Sequence, residues 1–254
     1  MRPTQSVEIM PSTAARAELI ARGKLRVAFP MASALYVVKD PATASLRGVS
    51  IEIGRELSRR LDAPFEPCAY ATVRDLIRAT DADEWDLATV VIEHDRQSLL
   101  DFSAPYLEAD STYLVARESR IVAVPDADVS GVRIGVAERS AFDLFLTRTL
   151  KHATLVRYPG VAAAFEGFRS KENDLVAAPR PVLTAALSKI PPARILDGRF
   201  DVARVGIAMQ KGSRPAALTF VNAFIAEITK SDWLLKAIER SGIAGIRIAR
   251  ARPR

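Results

Sequence analysis

Hydrophobic residues along the chain follow two alternating patterns, which predict strands and helices in turn. Short continuous apolar runs are typical of buried strands, and apolar residues three or four positions apart are typical of helices that bury one face. The predicted strands are 24–29, 65–69, 85–92, 113–116, 132–136, 155–158, 174–177 and 205–209. The predicted helices are 48–61, 72–79, 140–150, 161–170, 182–188, 215–229 and 233–241. This alternation predicts βαβ units and an α/β fold with a mainly parallel sheet.

Two of the predicted helices carry a start signal. Thr72 and Asp75 stand three residues apart, as do Ser140 and Asp143, and this spacing is typical of a capping box. In such a box the hydroxyl oxygen of the first residue accepts a hydrogen bond from a backbone N–H of the first helical turn. We therefore expect helices to begin directly after Thr72 and Ser140.

Composition limits the chemistry that the chain can perform. The 254 residues are 49% hydrophobic and 26% charged, which is typical of a globular protein with one large domain or two medium ones. Cys68 is the only cysteine, so no disulfide forms within the chain, and two histidines, His94 and His152, are too few for a zinc cluster. A Cys–His nucleophile is disfavoured because nothing in the sequence brings Cys68 near either histidine. No metal, cofactor or catalytic residue is predicted.

Charge and the terminal segments bear on partners and compartment. The net charge of +6 is spread along the chain, and only the tail clusters arginines, which we interpret as a solvated, frayed end and not as a nucleic-acid surface. Those arginines are Arg247, Arg250, Arg252 and Arg254. The sequence contains no run of about 18 apolar residues, so no membrane-spanning segment is predicted. The N-terminus lacks the apolar core and cleavage site of a secretory signal, so we expect a cytoplasmic protein if Met1 is the true start, or an export signal removed beforehand.

An ordered set of motifs covers residues 19–241. The most specific runs from Arg96 to Tyr106 and reads R-x(4)-D-F-S-x-P-Y. It is preceded by ELIARGKLRVAF and LRGVSIEIGRELSRRL and followed by DVSGVRIGV and DVARVGIAMQKGS. In this order the motifs resemble those of the polar amino-acid (family 3) solute-binding proteins of bacterial ABC transporters.

The resemblance implies a periplasmic binding protein-like II fold, in which two Rossmann-like α/β lobes joined by two hinge crossovers close on a ligand like a Venus flytrap. By the matching motifs, lobe 1 covers 1–107 plus 206–254, lobe 2 covers 111–202, and the hinges lie near 107–110 and 203–205. It further implies a periplasmic, monomeric, non-enzymatic receptor that passes a small anionic or amino-acid-like solute to an ABC permease. Two alternatives remain open: a cyclohexadienyl-dehydratase-like enzyme on the same scaffold, and a signalling or degenerate homologue without a transport role.

The resemblance implies that Arg96 binds the carboxylate of the ligand, because a planar guanidinium suits a bidentate pair. The alternative is a surface arginine that pairs with Asp95 or Asp101. The loop before Arg96 is two residues shorter than in the family, and Glu93 or His94 stands where the family has a threonine. We favour an exposed loop position for His94.

The second half of the expected site departs further from the family. Ser140 keeps the hydroxyl of the usual turn, but Arg139 replaces its glycine, and the direction of this arginine side chain is open. The aspartate that pairs with the ammonium of amino-acid ligands is replaced by Ala178 or Pro179, so the resemblance predicts an acid without an ammonium group. This expectation fails if Glu93 or Glu138 supplies the missing charge.

Aromatic and cationic side chains complete the list of candidates. Tyr36 and Tyr70 are expected as apolar walls of the ligand site, although a place in the core is the commoner fate of an aromatic residue. Arg180 follows the strand that ends near Pro179, and we favour a surface position for it. The predicted ligand-binding set is therefore Arg96, Ser140, Arg139, Glu93, Tyr36 and Tyr70.

Overall fold

Strands and helices alternate along the computed structural model, which describes residues 8–31, 33, 35–40, 43–190 and 192–250. The helices are α1 (Thr13–Leu19), α2 (Val49–Leu61), α3 (Val73–Arg78), α4 (Ala141–Thr149), α5 (Val161–Arg169), α6 (Arg180–Leu187), α7 (Pro215–Ile228) and α8 (Asp232–Ser241). The strands are β1 (Leu25–Pro30), β2 (Val38–Lys39), β3 (Leu46–Arg47), β4 (Phe65–Tyr70), β5 (Leu87–Val91), β6 (Leu100–Phe102), β7 (Leu107–Ala116), β8 (Arg133–Ala137), β9 (Thr154–Tyr158), β10 (Leu175–Pro179), β11 (Ala193–Ile195), β12 (Asp201–Gln210) and β13 (Ile246–Ile248). Short 3-10 helices span His94–Ser98 and Val124–Ala127.

Eleven strands of the described residues form one sheet, in the order β4-β1-β5-β12-β7-β10-β8-β9 along its main path. Strands β4, β1 and β5 are parallel to one another, as are β10, β8 and β9. We call β1, β4 and β5, together with α1, α2, α3, α7 and α8, the first half. We call β8, β9 and β10, together with α4, α5 and α6, the second half. The predicted α/β class is confirmed. The prediction of a mainly parallel sheet is wrong: parallel pairing lies within each half, but β7 and β12 are antiparallel to their neighbours because the chain returns along them from one half to the other.

Two long antiparallel strands, β7 and β12, join the halves. Opposite each other stand Leu107 and Val205, Glu108 and Arg204, and Ala109 and Ala203. Strand β13 pairs with the other edge of β7 at these same positions. We call the paired segments 107–110 and 203–205 the crossover.

Separate apolar cores support the two halves. In the first half, the side chains of β1 and the buried stripe of α2 pack against α7, with Phe29, Leu57 and Phe224 fully buried. In the second half, Ile134 and Leu175 pack with Tyr113, whose ring lies 4.8 Å from that of Phe200. Because each half buries its own apolar side chains, each has the packing that a folded unit requires.

Two described segments near the ends of the chain, 13–19 and 246–248, form regular structure. Helix α1 begins at the Ser12 cap and buries Leu19, although the first helix predicted from the sequence was 48–61. Arg247 lies in β13 and pairs with Glu108 and Asp110, both at 2.9 Å, so the prediction of a frayed end is wrong for this residue. Arg252 and Arg254 lie outside the described residues. None of the described helices combines the length and the apolar character needed to cross a lipid bilayer.

Candidate functional site

A cavity of about 70 Å³ lies between the two halves. It is lined by residues at or just after the carboxyl ends of strands in both halves, where open parallel sheets commonly bind ligands. Those from the first half include Ser33, Tyr36, Thr72, Arg74, Val91 and Arg96, and those from the second half include Glu138, Ser140, Phe142, Val161 and Pro179. Ser111, Asp201 and Ala203 line it from the two long strands.

Arg96 is the most deeply buried cation of this cavity. It lies on the 3-10 helix after β5, is only 6% exposed, and donates from Nη1 to the carbonyl oxygen of Val91 at 2.9 Å. Nη2 donates to the carbonyl oxygen of Arg139 at 3.2 Å, across the boundary between the halves. No carboxylate oxygen of the described residues lies within 4.0 Å of it, and burial lowers the pKa of the guanidinium. Such a cation favours an anionic ligand.

The alternative of a surface Arg96 is wrong. The carboxylate of Asp101 is held by Lys211 at 2.7 Å, and that of Asp95 lies 3.6 Å from Arg148. Neither aspartate pairs with Arg96, because the 3-10 helix turns the guanidinium inward. His94 on the same helix is exposed, as favoured.

Tyr36 forms the wall beside Arg96. Its hydroxyl oxygen accepts a hydrogen bond from the backbone N–H of Val91 at 3.2 Å, and burial raises its pKa. Gly48 makes room for this segment, because a Cβ at that position would lie 2.7 Å from the carbonyl oxygen of Tyr36. The backbone at Gly48 also has a φ of 138°, which a side chain would strain. Gly48, directly before α2, therefore allows the close approach that positions a cavity residue.

The two predicted helix caps are confirmed, and both residues line the cavity. Ser140 Oγ accepts from the backbone N–H of Asp143 at 3.1 Å, and Thr72 Oγ1 accepts from that of Asp75, also at 3.1 Å. The nine-residue helix α4 thus begins at the cavity wall, where its N-terminal end contributes a partial positive charge.

Three predicted site residues are not among those that line the cavity. Tyr70 donates its hydroxyl to Glu84 at 2.8 Å and packs in the first half. The side chain of Arg139 is exposed, because its backbone takes a left-handed φ of 59° and its N–H donates to Asp143. Glu93 is buried, caps the 3-10 helix and pairs with Arg148 at 2.5 Å.

The site also contains acids. Glu138 lines the cavity and accepts from Arg74 at 2.9 Å. Asp201, the first residue of β12, lines it as well, and burial raises the pKa of its carboxyl group. Sequence reasoning missed Asp201, although it opens the motif DVARVGIAMQKGS. Arg180 is directed away, toward the carbonyl oxygens of Leu196 and Gly198.

Several known proteins are similar to this chain. A glutamine-binding protein of Geobacillus stearothermophilus is 23% identical over 222 residues, which are 86% of this chain and 84% of the relative. The structure of an amino acid ABC transporter substrate-binding protein of Streptococcus pneumoniae bound to L-arginine is 22% identical and superimposes with a TM-score of 0.75 over 88% of this chain and 96% of its own. The structure of an ancestral amino acid-binding protein, a precursor of cyclohexadienyl dehydratase, is 23% identical, with a TM-score of 0.74 over 89% and 98%.

The structural matches show a shared fold, that of the periplasmic binding proteins of type II, as the sequence motifs predicted. A match to one protein family extends over residues 25–241, most of the chain, and includes every motif from β1 to α8. The chain belongs to the bacterial extracellular solute-binding proteins, family 3.

Proposed function

We propose that this protein is the monomeric receptor of an ABC transporter, and that it holds a small carboxylate-bearing, amino-acid-like solute between its two halves. The single observation that supports a carboxylate on the solute is the environment of Arg96. This cation is 6% exposed, lines the cavity and has no carboxylate partner among the described residues. Two of its five N–H donors are used by carbonyl oxygens, which leaves donors for a bidentate ligand.

The neighbouring groups support the same ligand. The N-terminus of α4 at Ser140 favours an anion, and Leu35, Phe142 and Val161 give the cavity apolar walls for the remainder of a small molecule. The glutamine-binding relative and the arginine-bound structure support a solute of the amino-acid type.

The proposed mechanism is closure of two lobes. Lobe 1 would comprise 1–107 plus 206–254 and lobe 2 residues 111–202, with the crossover absorbing the change in dihedral angles. The polar contacts from Arg74 to Glu138 and from Arg96 to Arg139 join the halves around the cavity. A bound solute adds contacts to both halves at once, which stabilises this closed arrangement relative to an open one.

We propose that the protein binds its solute and does not catalyse a reaction on it. The relatives named above are binding proteins, and the ancestral one has a dehydratase among its descendants, so the scaffold by itself does not decide the point. In the cavity the carboxylate of Glu138 is paired with Arg74 at 2.9 Å and is therefore not free to act on a bound solute.

Native mass spectrometry of the purified protein tests the proposal. We expect a small carboxylic acid to accompany the protein through purification, to be released with unchanged mass after long incubation, and to reduce the radius of gyration in solution scattering when added back. A ligand without a carboxylate would overturn the role of Arg96. Release of a decarboxylated or dehydrated product would favour the alternative of a cyclohexadienyl-dehydratase-like enzyme.

A further inference from the structure

We infer that Asp201 binds a cationic nitrogen of the solute, so that the ligand is a zwitterion with its carboxylate on Arg96 and its ammonium group on Asp201. This inference rests on the proposed function, because it adds a second contact to the same cavity. It replaces the expectation, drawn from the missing aspartate at 178–179, that the ligand carries no ammonium group.

The register of the sheet places Asp201 in the row of the missing acid. Pro179 of β10 stands opposite Ser111 of β7, and Ser111 stands opposite Asp201 of β12. Residues directly opposite each other on neighbouring strands point to the same face of a sheet. Strands lie about 4.8 Å apart, so Asp201 is roughly 10 Å from the position of Pro179, on the same face and at the same cavity.

The carboxylate of Asp201 has no ion-pair partner among the described residues. No arginine, lysine or histidine nitrogen of the described residues lies within 4.0 Å of its carboxylate oxygens. The cations nearest to it already have partners, because Arg148 pairs with Glu93 at 2.5 Å and Arg204 lies 3.6 Å from Glu108. An ionised, partly buried carboxylate without a cation is unfavourable, and a ligand cation relieves this cost.

The charges of the cavity are complementary to a dipolar ion. Arg74 and Glu138 neutralise each other, which leaves one cation, Arg96, and one anion, Asp201, without ionic partners among the described lining residues. These two groups line the same cavity and do not form an ion pair with each other. A neutral zwitterion satisfies both, whereas a simple carboxylate satisfies only Arg96 and brings a second negative charge beside Asp201.

Matched pairs of acids with and without the amino group test the inference on the unmodified protein. The pairs are L-glutamine with 4-carbamoylbutanoate, L-leucine with 4-methylpentanoate, and L-phenylalanine with 3-phenylpropanoate, completed by a thermal-shift screen of the remaining standard amino acids and their deamino analogues. We expect at least one L-amino acid to bind, and its deamino analogue to bind at least about tenfold more weakly. A deamino acid that binds as tightly as its amino acid would overturn the inference and leave the carboxylate proposal standing. Failure of every acid in both sets would overturn both.

The variant Asp201→Asn adds a second, independent test. We expect this variant to bind the preferred amino acid at least about tenfold more weakly. Its affinity for the deamino analogue should be unchanged or higher. Asp197→Asn is the matched control, because Asp197 is an exposed aspartate four positions away that does not line the cavity. Unchanged affinity for the amino acid in Asp201→Asn would overturn the inference, and the comparison on the unmodified protein decides the matter if the variant fails to fold.

Discussion

Arg74 and Glu138 meet across the cavity, with Nη1 of the arginine 2.9 Å from Oε2 of the glutamate. Arg74 belongs to α3 in the first half and Glu138 follows β8 in the second, so this ion pair joins the halves directly. Both side chains are about two-fifths exposed, at 40% and 42%, which limits what the pair contributes.

Removing this ion pair should weaken ligand binding slightly. An exposed pair contributes about 0.2–1 kcal/mol, so Arg74→Gln should reduce affinity about 1.4- to 5-fold in calorimetry. The control is Arg78→Gln, an exposed arginine on the same helix that has no cavity contact. Added salt should weaken binding by the unmodified protein more than by the Arg74 variant. Equal loss in the Arg78 variant would contradict the role of the pair.

Truncation of Arg96 should have a far larger effect. Removing one partner of a desolvated charge pair costs roughly 2–5 kcal/mol, so Arg96→Ala should weaken binding of the carboxylate ligand at least about 30-fold by calorimetry. We expect the variant to fold, because the change also removes a buried cation that has no ionic partner among the described residues. Arg55→Ala, at an exposed position of α2, is the control. An affinity that does not change would show that Arg96 holds the structure and not the ligand.

Replacing Arg139 with glycine should stabilise the protein. Arg139 has a φ of 59°, and the left-handed region costs roughly 1–2 kcal/mol for a residue with a Cβ. Glycine avoids this cost but loses more chain entropy on folding, so the net gain in the free energy of unfolding should be about 0.5–1 kcal/mol in urea titrations. Ligand affinity should stay the same, because the Arg139 side chain does not line the cavity. Weaker ligand binding by the glycine variant would mean that the Arg139 side chain contributes to the ligand site.

The charge on Asp201 should make the ligand-free protein less stable. Burial raises its pKa in the folded state above the ordinary value of 3.8, an effect that Glu93 adds to and that Arg148 and Arg204 oppose. The folded state therefore binds the proton more tightly than the unfolded state, and this contribution to stability is lost as pH rises from 3.8 through the raised pKa.

Thermal unfolding of the ligand-free protein measures this effect. Asp201→Asn should have a higher Tm than the unmodified protein at pH 7, and the difference should disappear below pH 3.8, where both side chains are neutral. The control variant Asp197→Asn should have nearly the same Tm as the unmodified protein at either pH. A lower Tm for the Asp201 variant at pH 7 would mean that the carboxylate contributes to the fold and is not held for a ligand.

Features that depend on neighbouring residues in the chain could be predicted from the sequence. The stripe of α2 and the caps at Thr72 and Ser140 follow from spacing alone, and the structure has them where they were expected. Tyr36 and Tyr70 show the limit. Both are aromatic residues close to strand ends, but Tyr36 lines the cavity, where its hydroxyl oxygen accepts from Val91, whereas Tyr70 donates to Glu84 and lies elsewhere.

Features that depend on strand register could not be predicted. Asp201 is one of many acids in the sequence, and its position at the cavity depends on its pairing with Ser111, far away in the chain. The inward direction of Arg96 depends similarly on the turn of its 3-10 helix. The motif that begins at Arg96 indicates a ligand contact, whereas the motif that contains Asp201 indicates only the family and a strand.

Strand β13 adds a third strand to the crossover where β7 leaves the first half. Ile246 and Ile248 pair with Ala109 and Leu107, on the edge of β7 opposite to β12. A ribbon of three hydrogen-bonded strands resists bending more than a pair does, so the elastic stiffness between the halves depends on a segment close to the C-terminus. In the proposed closure, the dwell time of the solute is therefore set in part by residues that never touch it.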